Sequence, residues 1–467
     1  MTEKADRYPR QISFIIGNEA CERFSFYGMR NILTVFLIQY LLASEIADPA
    51  ARQGAAKSVF HTFVMAVYFF PLLGGWLADR FFGKYRTILW VSVLYCLGHL
   101  CLALFDGWKA GFYAGLGLIA LGSGGIKPCV SAFVGDQFDE SNKHLVRGVF
   151  GLFYWIINFG SFFASLTIPV ILPRFGPSVA FGIPGVLMAI ATVIFWLGRK
   201  RYVDLPPSGP NPHGVLRVLR SAFRARRNGR SRSSGFLDKA SSEHPPEAIE
   251  ALRAVLRVVP IFLLVSVFWS IFDQKASTVV IQGKQMVRTI LGVTIQESQM
   301  QALNPLLVMI LIPFNNTVLY PFLERRGLAP TPLRRMTAGI AFSGVAFAIV
   351  GITQMALDGG ASLNIAWQIV PYIVLTFAEV LVSTTGLEFA YSQAPLAMKG
   401  VIMSLWNLTV TLGNFLVVVV TAINFLPGAG QIFFFAALAG VAAILFGLVA
   451  ARTTPVDHFR PSESKAG

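Results

Sequence analysis

Long apolar runs recur along this chain, and they constrain its fold more than any other feature. They follow one another from Ile12 to Ala450. Each is long enough for a helix to cross the hydrocarbon layer of a bilayer, which takes about 20 residues. The chain of 467 residues is 54% hydrophobic and only 13% charged, against roughly 25% charged residues in ordinary globular domains. The sequence therefore predicts an all-α integral membrane protein and excludes a string of soluble domains.

We predict twelve transmembrane helices in two six-helix bundles. A long polar stretch separates six apolar runs from the other six, so the expected units are an N-terminal bundle at 1–198, a cytoplasmic basic linker at 199–253 and a C-terminal bundle at 254–467. The predicted spans lie near residues 12–42, 55–79, 86–105, 110–135, 147–172, 179–198, 254–283, 301–323, 335–356, 364–391, 400–425 and 430–450.

The distribution of Lys and Arg predicts the orientation. These residues are more frequent in the segments on the side of the two termini than in those on the opposite side, even when the central segment is left out. By the positive-inside rule, both termini are expected in the cytoplasm. We therefore expect a multi-pass protein of the cell inner membrane.

The central segment carries an arginine-rich run from Arg217 to Arg232. A nucleic-acid tail is one interpretation, but a solvated linker beside anionic lipid headgroups is simpler, since each Lys or Arg there contributes about 1 kcal/mol. We therefore expect the lipid bilayer, and no nucleic acid, as its partner. Apolar residues alternate with arginines at helical spacing in this run, which predicts a short helix at 215–227 lying on the membrane.

Motifs of enzymes and metal proteins are absent from the sequence. The four cysteines all lie inside apolar runs, at spacings that fit neither a disulfide framework nor a zinc site. No phosphate-binding loop or histidine metal pair is present. We also expect no secretory signal peptide, because the first apolar run is too long and contains charges. We therefore expect no enzyme activity and no cofactor, and an ion gradient or the substrate's own gradient as the energy source.

The first span carries two acids and two bases, although an ionised group in mid-membrane costs about 2.5–3.5 kcal/mol on insertion scales. Glu19, Glu22 or Arg23, and Arg30 fall on one helical stripe, with Tyr27 between the arginines. Glu19 and Arg23 are four residues apart and can pair directly. A self-neutralising cluster that only fixes helix packing is the alternative, but packing needs fewer charges than this.

Other spans contain ionisable and polar residues of the same kind. His61 is either a core histidine satisfied by a neighbour or a functional residue. Charges of both signs that project inward suit a zwitterionic substrate, and carboxylates among arginines suit proton coupling. The other candidates are the ionisable residues Lys127, Asp273 and Glu379, the aromatic residues Tyr27, Tyr68, Tyr154 and Trp269, and the amides Asn158 and Asn304.

Several stretches of the sequence resemble known transporter families. Residues 75–86 (GWLADRFFGKYR) are similar to the conserved gating loop of the major facilitator superfamily. Residues 19–28 (EACERFSFYG), 124–138 (GGIKPCVSAFVGDQF) and 153–161 (FYWIINFGS) resemble the proton-coupled oligopeptide transporter (POT) family, and the resemblance continues through 268–274 (FWSIFDQ) and 386–395 (GLEFAYSQAP). It covers essentially all the spans but not the central segment.

The resemblance implies a symporter that imports di- and tripeptides with protons by alternating access, acting as a single chain. In that family's roles, Arg23, Arg30 and Lys127 would hold the peptide carboxylate, and Asn158, Asn304 and Glu379 its amino group. Tyr27, Tyr68 and Trp269 would line the pocket, Glu19, Glu22 and Asp273 would carry proton coupling together with His61, and Asp79 and Arg80 would belong to the gating loop.

The sequence departs from the family's pattern at several positions. Phe26 stands where relatives have a tyrosine. Phe60, which precedes His61, also stands where many relatives have a tyrosine. Many bacterial relatives carry two extra helices between the sixth and seventh spans, but 199–253 is too polar and proline-rich for them. Asn316 stands where some relatives have an acid that could bridge to the base at Arg257, so that bridge should be missing.

Two other functions remain open at this stage. One is proton-coupled symport of another small anion or amino acid. The other is a peptide-binding membrane receptor that signals through the central segment, although the sequence contains no signalling domain there.

Overall fold

The computed structural model describes residues 8–139, 142–207, 209, 212–227, 235–393, 399–424 and 426–453. Three parts of the sequence discussed above lie outside the described residues. They are the chain ends, whose orientation the sequence predicts, the arginines beyond Arg227 and the last two residues of the 386–395 stretch. The described part is almost entirely helical. Its only strands form a short hairpin, Thr289–Ile290 paired with Val293–Thr294.

Eleven described helices are long and apolar enough to cross a membrane, and a twelfth long helix, which starts at Ile12, precedes them. Their ends agree with the predicted spans to within a few residues, except that span 7 begins earlier and span 2 is longer at both ends. Numbered as spans 1 to 12, they are 12–41, Pro49–Phe82, Lys84–Leu104, Lys109–Asp136, Gly148–Phe175, Pro177–Lys200, Pro246–Lys284, Glu297–Arg325, Pro332–Asp358, Ile365–Ala390, Gly400–Ile423 and Ala429–Arg452.

Span 1 differs from the others because it combines membrane length with buried charge. It is an α-helix at Ile12–Phe36 that continues as a π-helical turn to Leu41. Its polar residues leave it less apolar than the other eleven spans. It nevertheless packs against spans 5 and 6 and is largely buried. Protein therefore surrounds its charges, as expected for ionisable groups inside a membrane.

The spans pack in two groups. Span 1 packs on spans 5 and 6, and span 3 packs on spans 4 and 6; in the second half span 7 packs on spans 11 and 12, and span 9 on spans 10 and 12. The glycines of span 4 permit close packing: a Cβ on Gly74 of span 2 would lie 2.5 Å from the Cα of Gly125. Small residues at such contacts are typical of membrane helices.

The central segment forms a small folded unit rather than a solvated linker. The predicted helix is present at Val215–Arg227, and protein covers part of its apolar face. Val218 and Ala222 are fully buried against the turn at Leu237–Ser242 and the first turns of span 7. Phe223 of the same helix remains exposed, so contact of this helix with the membrane stays a prediction. Helical periodicity reveals an apolar face but not what covers it.

No pair of additional spans interrupts the described part of the central segment, as the sequence predicts. It contains only the 13-residue helix Val215–Arg227 and short 3-10 turns before span 7. Arg257 lies 3.1 Å from Glu250 on its own helix, while Asn316 is exposed. Arg257 therefore pairs with an acid of its own span 7 and not with residue 316 of span 8.

Hydrogen bonds join the two bundles on the side of loops 42–48 and 285–296, which we call the distal side. They connect span 1 to span 7, span 2 to span 12, and spans 1 and 5 to the start of span 8. The pairs are Thr34 Oγ1 to the Ala276 carbonyl (2.8 Å), Lys57 Nζ to Gln431 Oε1 (2.5 Å), Gln301 Nε2 to the Asn31 carbonyl (3.2 Å) and Gln299 Nε2 to the Leu166 carbonyl (2.8 Å). A further bond, from Thr411 Oγ1 to the Met65 carbonyl (3.3 Å), joins spans 11 and 2 near the middle of both helices.

Candidate substrate and proton site

The acids and bases of span 1 form one buried cluster. Arg23 Nε lies 2.8 Å from Glu19 Oε1 and 2.6 Å from Glu22 Oε2, and the Glu22 side chain is completely buried. The contact is one of charge, because the Nε–H of Arg23 is not aligned for a hydrogen bond to either carboxylate. Neither oxygen of Glu22 has a hydrogen-bond partner among the described residues. Arg23 is therefore the group that balances the charge of this carboxylate.

Lys127 approaches this cluster from span 4, next to the helix-interior Pro128. Its Nζ lies 4.5 Å from the ring centroid of Phe26 and 4.2 Å from that of Tyr68. No carboxylate lies within 4 Å of this Nζ among the residues that the structure describes. The departure at Phe26 thus has a structural consequence: a ring face, rather than a hydroxyl, meets the ammonium, which is a favourable contact for a cation.

A second network joins the two bundles. Arg30 Nη2 of span 1 lies 2.5 Å from Asp273 Oδ1 of span 7, with both side chains nearly buried. Asn414 of span 11 donates to Asp273 Oδ2 at 2.8 Å, and its Oδ1 lies 2.6 Å from His61 Nδ1 of span 2. His61 Nε2 lies 2.8 Å from Ser277 Oγ. The Arg30–Asp273 pair therefore belongs to a continuous polar chain through the bundle interface.

A third network lies within the C-terminal bundle. Asn304 Nδ2 donates to Glu379 Oε2 at 2.6 Å, and Lys275 Nζ donates to Asn304 Oδ1 at 2.7 Å. Lys275 also lies over the ring of Phe272, 3.3 Å from its centroid. Glu379 immediately precedes a π-helical turn at Val380–Thr384, a local irregularity that is frequent at functional sites. Asn304 thus separates an acid from a base.

These networks lie close together. Lys127 is within electrostatic range of Arg23, Arg30 and Asp273, and Glu379 is within range of Arg30 and Asp273. Arg23, Lys127 and Glu379 are thus linked through shared neighbours rather than scattered over the lipid-facing surface. The three networks together place cationic and anionic groups of both bundles near one another.

The remaining predicted residues vary in their surroundings. Tyr27 is within electrostatic range of Arg23, Arg30 and Glu379. Asn158 is buried and donates to the Tyr154 carbonyl of the preceding turn at 2.9 Å. The Tyr154 side chain is half exposed. Buried Trp269 has no hydrogen-bond partner for its Nε1 among the described residues, so a donor remains available there.

The predicted gating-loop residues Asp79 and Arg80 are exposed. They lie at the end of span 2, whereas the network residue His61 lies in its first half. Arg80 lies over the rings of Trp76 and Phe81, at 5.7 Å and 5.3 Å from their centroids. The Asp79 carbonyl accepts a hydrogen bond from the backbone N–H of Gly209 at 3.1 Å. An ion pair is present beside the loop, between Lys84 Nζ and Asp136 Oδ2 at 2.6 Å.

Three polar residues of these networks are not among the sequence-predicted site residues. Asn414 and Ser277 complete the interface chain, and Lys275 completes the Asn304–Glu379 network. Lys275 is a charge in an apolar run and could have been included on that ground. Asn414 gives a weaker signal, an amide within a valine-rich span, which interhelical hydrogen bonding alone could explain.

The sequence resembles characterised families over most of its length. A sequence model of the POT family (PTR2) matches residues 85–425. Peptide transporter family 1 of Drosophila melanogaster is 37% identical over 370 residues, which cover 76% of this chain and 49% of that protein. Solute carrier family 15 member 2 of Homo sapiens is 35% identical over 401 residues, 82% of this chain and 54% of that protein. The chain spans about half the length of these curated relatives.

Solved structures match the whole fold. An auto inhibited POT family peptide transporter is 54% identical, with a TM-score of 0.89, over 97% of this chain and 99% of that chain. The POT family transporter PepTSo is 52% identical, also with a TM-score of 0.89, over 96% of this chain and 98% of that chain. The predicted all-helical membrane fold is confirmed. The family match and these relatives show that the chain belongs to the POT family.

Proposed function

We propose that this chain is a proton-coupled symporter that imports di- and tripeptides across the cell inner membrane by alternating access. Relatives that cover most of the chain are named peptide transporters, and the buried charges explain why a peptide would fit. Symport of another small anion or amino acid is the alternative that a competition experiment must exclude.

The proposal depends on one observation: two buried charges of opposite sign, Lys127 and Glu379, have no oppositely charged group in contact among the described residues. The Lys127 ammonium faces aromatic rings, with no carboxylate in contact among the described residues. Glu379 contacts an amide rather than a base. The carboxylate of a zwitterionic peptide can pair with Lys127 and its ammonium with Glu379. A simple anion could pair with Lys127 only.

The proposed roles are those that the resemblance to the POT family implies, and the chemistry of the side chains agrees with them. Arginine can hold a carboxylate bidentately and lysine acts as a point charge, so Arg23, Arg30 and Lys127 would hold the peptide carboxylate. Asn158, Asn304 and Glu379 would hold its amino group. The aromatic lining would come from Tyr27, Tyr68, Tyr154 and Trp269. Fixing both ends of a peptide selects by length and leaves its side chains free.

Proton coupling is assigned to the carboxylates that pair with arginines. A proton on Glu19 or Glu22 would release Arg23 for the peptide carboxylate, and a proton on Asp273 would release Arg30. Half-loaded closure would leave buried charges unpaired, which is costly. Occlusion therefore requires both proton and peptide. His61 belongs to this assignment through its link to Asp273.

The remaining parts of the proposal concern the whole chain. Bundles at 1–198 and 254–467 would rock about the site, joined by the segment 199–253, with Asp79 and Arg80 in the gating loop. Both termini would be cytoplasmic, the functional unit would be the single chain, and the proton gradient would supply the energy without a cofactor or enzyme activity.

The test is uptake of labelled dialanine into proteoliposomes. We expect an inward proton gradient to drive accumulation above equilibrium, and a protonophore to abolish it. Unlabelled dialanine should compete and free alanine should not. Uptake that is indifferent to the gradient would contradict the coupling, and equal inhibition by alanine would favour an amino-acid substrate instead.

A further inference from the structure

Asn414 occupies the centre of the polar chain between the bundles. It is completely buried on span 11, between His61 of span 2 and Asp273 of span 7. Its Nδ2 lies 2.8 Å from Asp273 Oδ2 and 2.9 Å from the carbonyl oxygen of Val410. Its Oδ1 lies 2.6 Å from His61 Nδ1. The imidazole and the carboxylate are thus connected through one amide.

Hydrogen-bond counting fixes the orientation of this amide. An amide nitrogen carries two N–H donors, and its oxygen only accepts. Both donors of Asn414 have acceptors, the Asp273 carboxylate and the Val410 carbonyl, which a flipped amide would meet with its own oxygen. Oδ1 therefore faces His61 and accepts, so His61 must carry its hydrogen on Nδ1.

The tautomer decides where His61 can take a proton. With Nδ1 protonated, the lone pair of the neutral imidazole is on Nε2, which faces the Ser277 hydroxyl at 2.8 Å. A second proton on His61 therefore enters at Nε2, and the Ser277 hydroxyl then turns from donor to acceptor. An amide does not titrate, so no proton passes from His61 Nδ1 to Asp273 through Asn414.

We propose that Asn414 is a positioning residue of the proton-coupling network. It fixes His61 as the Nδ1–H tautomer and holds the Asp273 carboxylate against Arg30, so that His61 and Asp273 bind protons separately. This inference rests on the proposed proton-coupled transport and adds to it the residue that keeps the two proton sites apart.

Other charges act on the network from the elements around it. Arg30 of span 1 contacts Asp273 directly. Lys57 lies one turn from His61 on the same helix, and its Nζ contacts the amide of Gln431. The further titratable groups within electrostatic range of Asp273 are Lys127, Lys275, Glu379 and Tyr68. None of these differs between the variants below, so they form a constant background.

The first experiment replaces the amide by a carboxylate and follows the pH profile of dialanine uptake. In Asn414→Asp the new carboxylate accepts from His61 and repels the charge of Asp273. Both effects favour the proton-bound state, so the pH at which uptake falls to half should move upward by about one unit or more, a tenfold change in proton affinity. Asn407→Asp, two turns earlier on the same helix, should leave the midpoint unchanged. A midpoint in Asn414→Asp equal to that of wild type would overturn the proposal.

The second experiment reads the tautomer without any substrate. In ¹⁵N-histidine-labelled protein in bilayers, His61 is identified by the signals lost in His61→Gln. Wild type should show His61 as Nδ1–H, and Asn414→Leu should lose that signature. An Nε2–H form in wild type, or an unchanged spectrum in Asn414→Leu, would overturn the inference. Lack of dialanine uptake by wild type would instead refute the proposed function, and the tautomer would still decide the present point.

Discussion

At the residue scale, the buried ammonium of Lys127 is a charge to which a peptide carboxylate would supply an ion-pair partner. Its neighbours are two ring faces, which solvate a cation less fully than water or a carboxylate does. In Lys127→Ala the charge-assisted bond to a peptide carboxylate is lost, so dialanine affinity should fall by at least tenfold, since such bonds contribute about 1.5–3 kcal/mol. Binding is measured by calorimetry on the detergent-solubilised protein.

The control for that experiment is Lys200→Ala, which removes an exposed lysine at the end of span 6. It should bind dialanine as wild type does. Equal affinity in Lys127→Ala and wild type would remove Lys127 from the proposed binding site.

Glu22 presents the opposite case, an acid with charge contact but no aligned hydrogen bond. Glu22→Gln preserves the shape of the side chain and removes the proton-binding group. We expect gradient-driven uptake in proteoliposomes to fall to the level seen without a gradient, while exchange of labelled for unlabelled dialanine is retained. Exchange survives because the substitution leaves Arg23 in place and removes one of the two carboxylates that pair with it.

The matched control is Glu45→Gln, an exposed acid that lies 2.6 Å from Lys109 on the distal side. Exposed pairs contribute little, so its gradient-driven uptake should equal that of wild type. Retention of gradient-driven uptake in Glu22→Gln would assign the coupling proton to another carboxylate.

The sequence allowed the residues of span 1 to be predicted as a group, but not their partners elsewhere. Glu19 and Arg23 are four positions apart on one helix, a spacing that sets their contact. Arg30 and Asp273 are separated by 243 positions, and no local rule selects that pairing. Asn414 is harder still, because a neutral amide in a membrane span carries no charge that demands a partner.

At the element scale, hydropathy predicted the spans well because membrane length and apolarity leave few alternatives. The helix Val215–Arg227 shows the limit of the same reasoning. Its apolar and basic faces are both present, but protein covers Val218 and Ala222 of the apolar face. Which surface covers an amphipathic helix depends on the tertiary fold, and the sequence pattern does not contain it.

The packed helix leads to a stability prediction. Val218 is fully buried in the small cluster with Leu252 of span 7, so Val218→Asp places an unpaired charge in an apolar environment. We expect a loss of about 2–4 kcal/mol in the stability of this unit and a lower unfolding temperature in detergent. Dialanine uptake per folded molecule should be retained, because the unit lies outside the proposed site.

Arg220→Asp provides the comparison, since Arg220 lies on the exposed face of the same helix. It should leave the unfolding temperature close to that of wild type. An unchanged unfolding temperature in Val218→Asp would contradict the packing, and a loss of uptake in folded Val218→Asp protein would give this unit a role in transport.

At the scale of the whole molecule, the distal hydrogen bonds are the contacts that the proposed alternating access would have to break. Several of them join backbone carbonyls to side chains across the bundle interface, as in the contact of Thr34 Oγ1 with the Ala276 carbonyl at 2.8 Å. Such bonds are individually modest, about 0.5–1.5 kcal/mol each. In the proposed mechanism, the distal side would open when a few of these bonds are exchanged for contacts with water, protons or peptide.

A covalent bond at the same position should stop the cycle. In protein whose four native cysteines are replaced, Thr34→Cys combined with Ala276→Cys places two thiols on facing backbones of the two bundles. Oxidation with iodine should abolish dialanine uptake, and a reductant should restore it, because opening of the distal side requires these backbones to separate. Each single variant should remain active under oxidation. Full uptake by the oxidised double variant, with the cross-link verified by mass spectrometry, would show that the bundles need not part here, and the rocking mechanism would have to be abandoned.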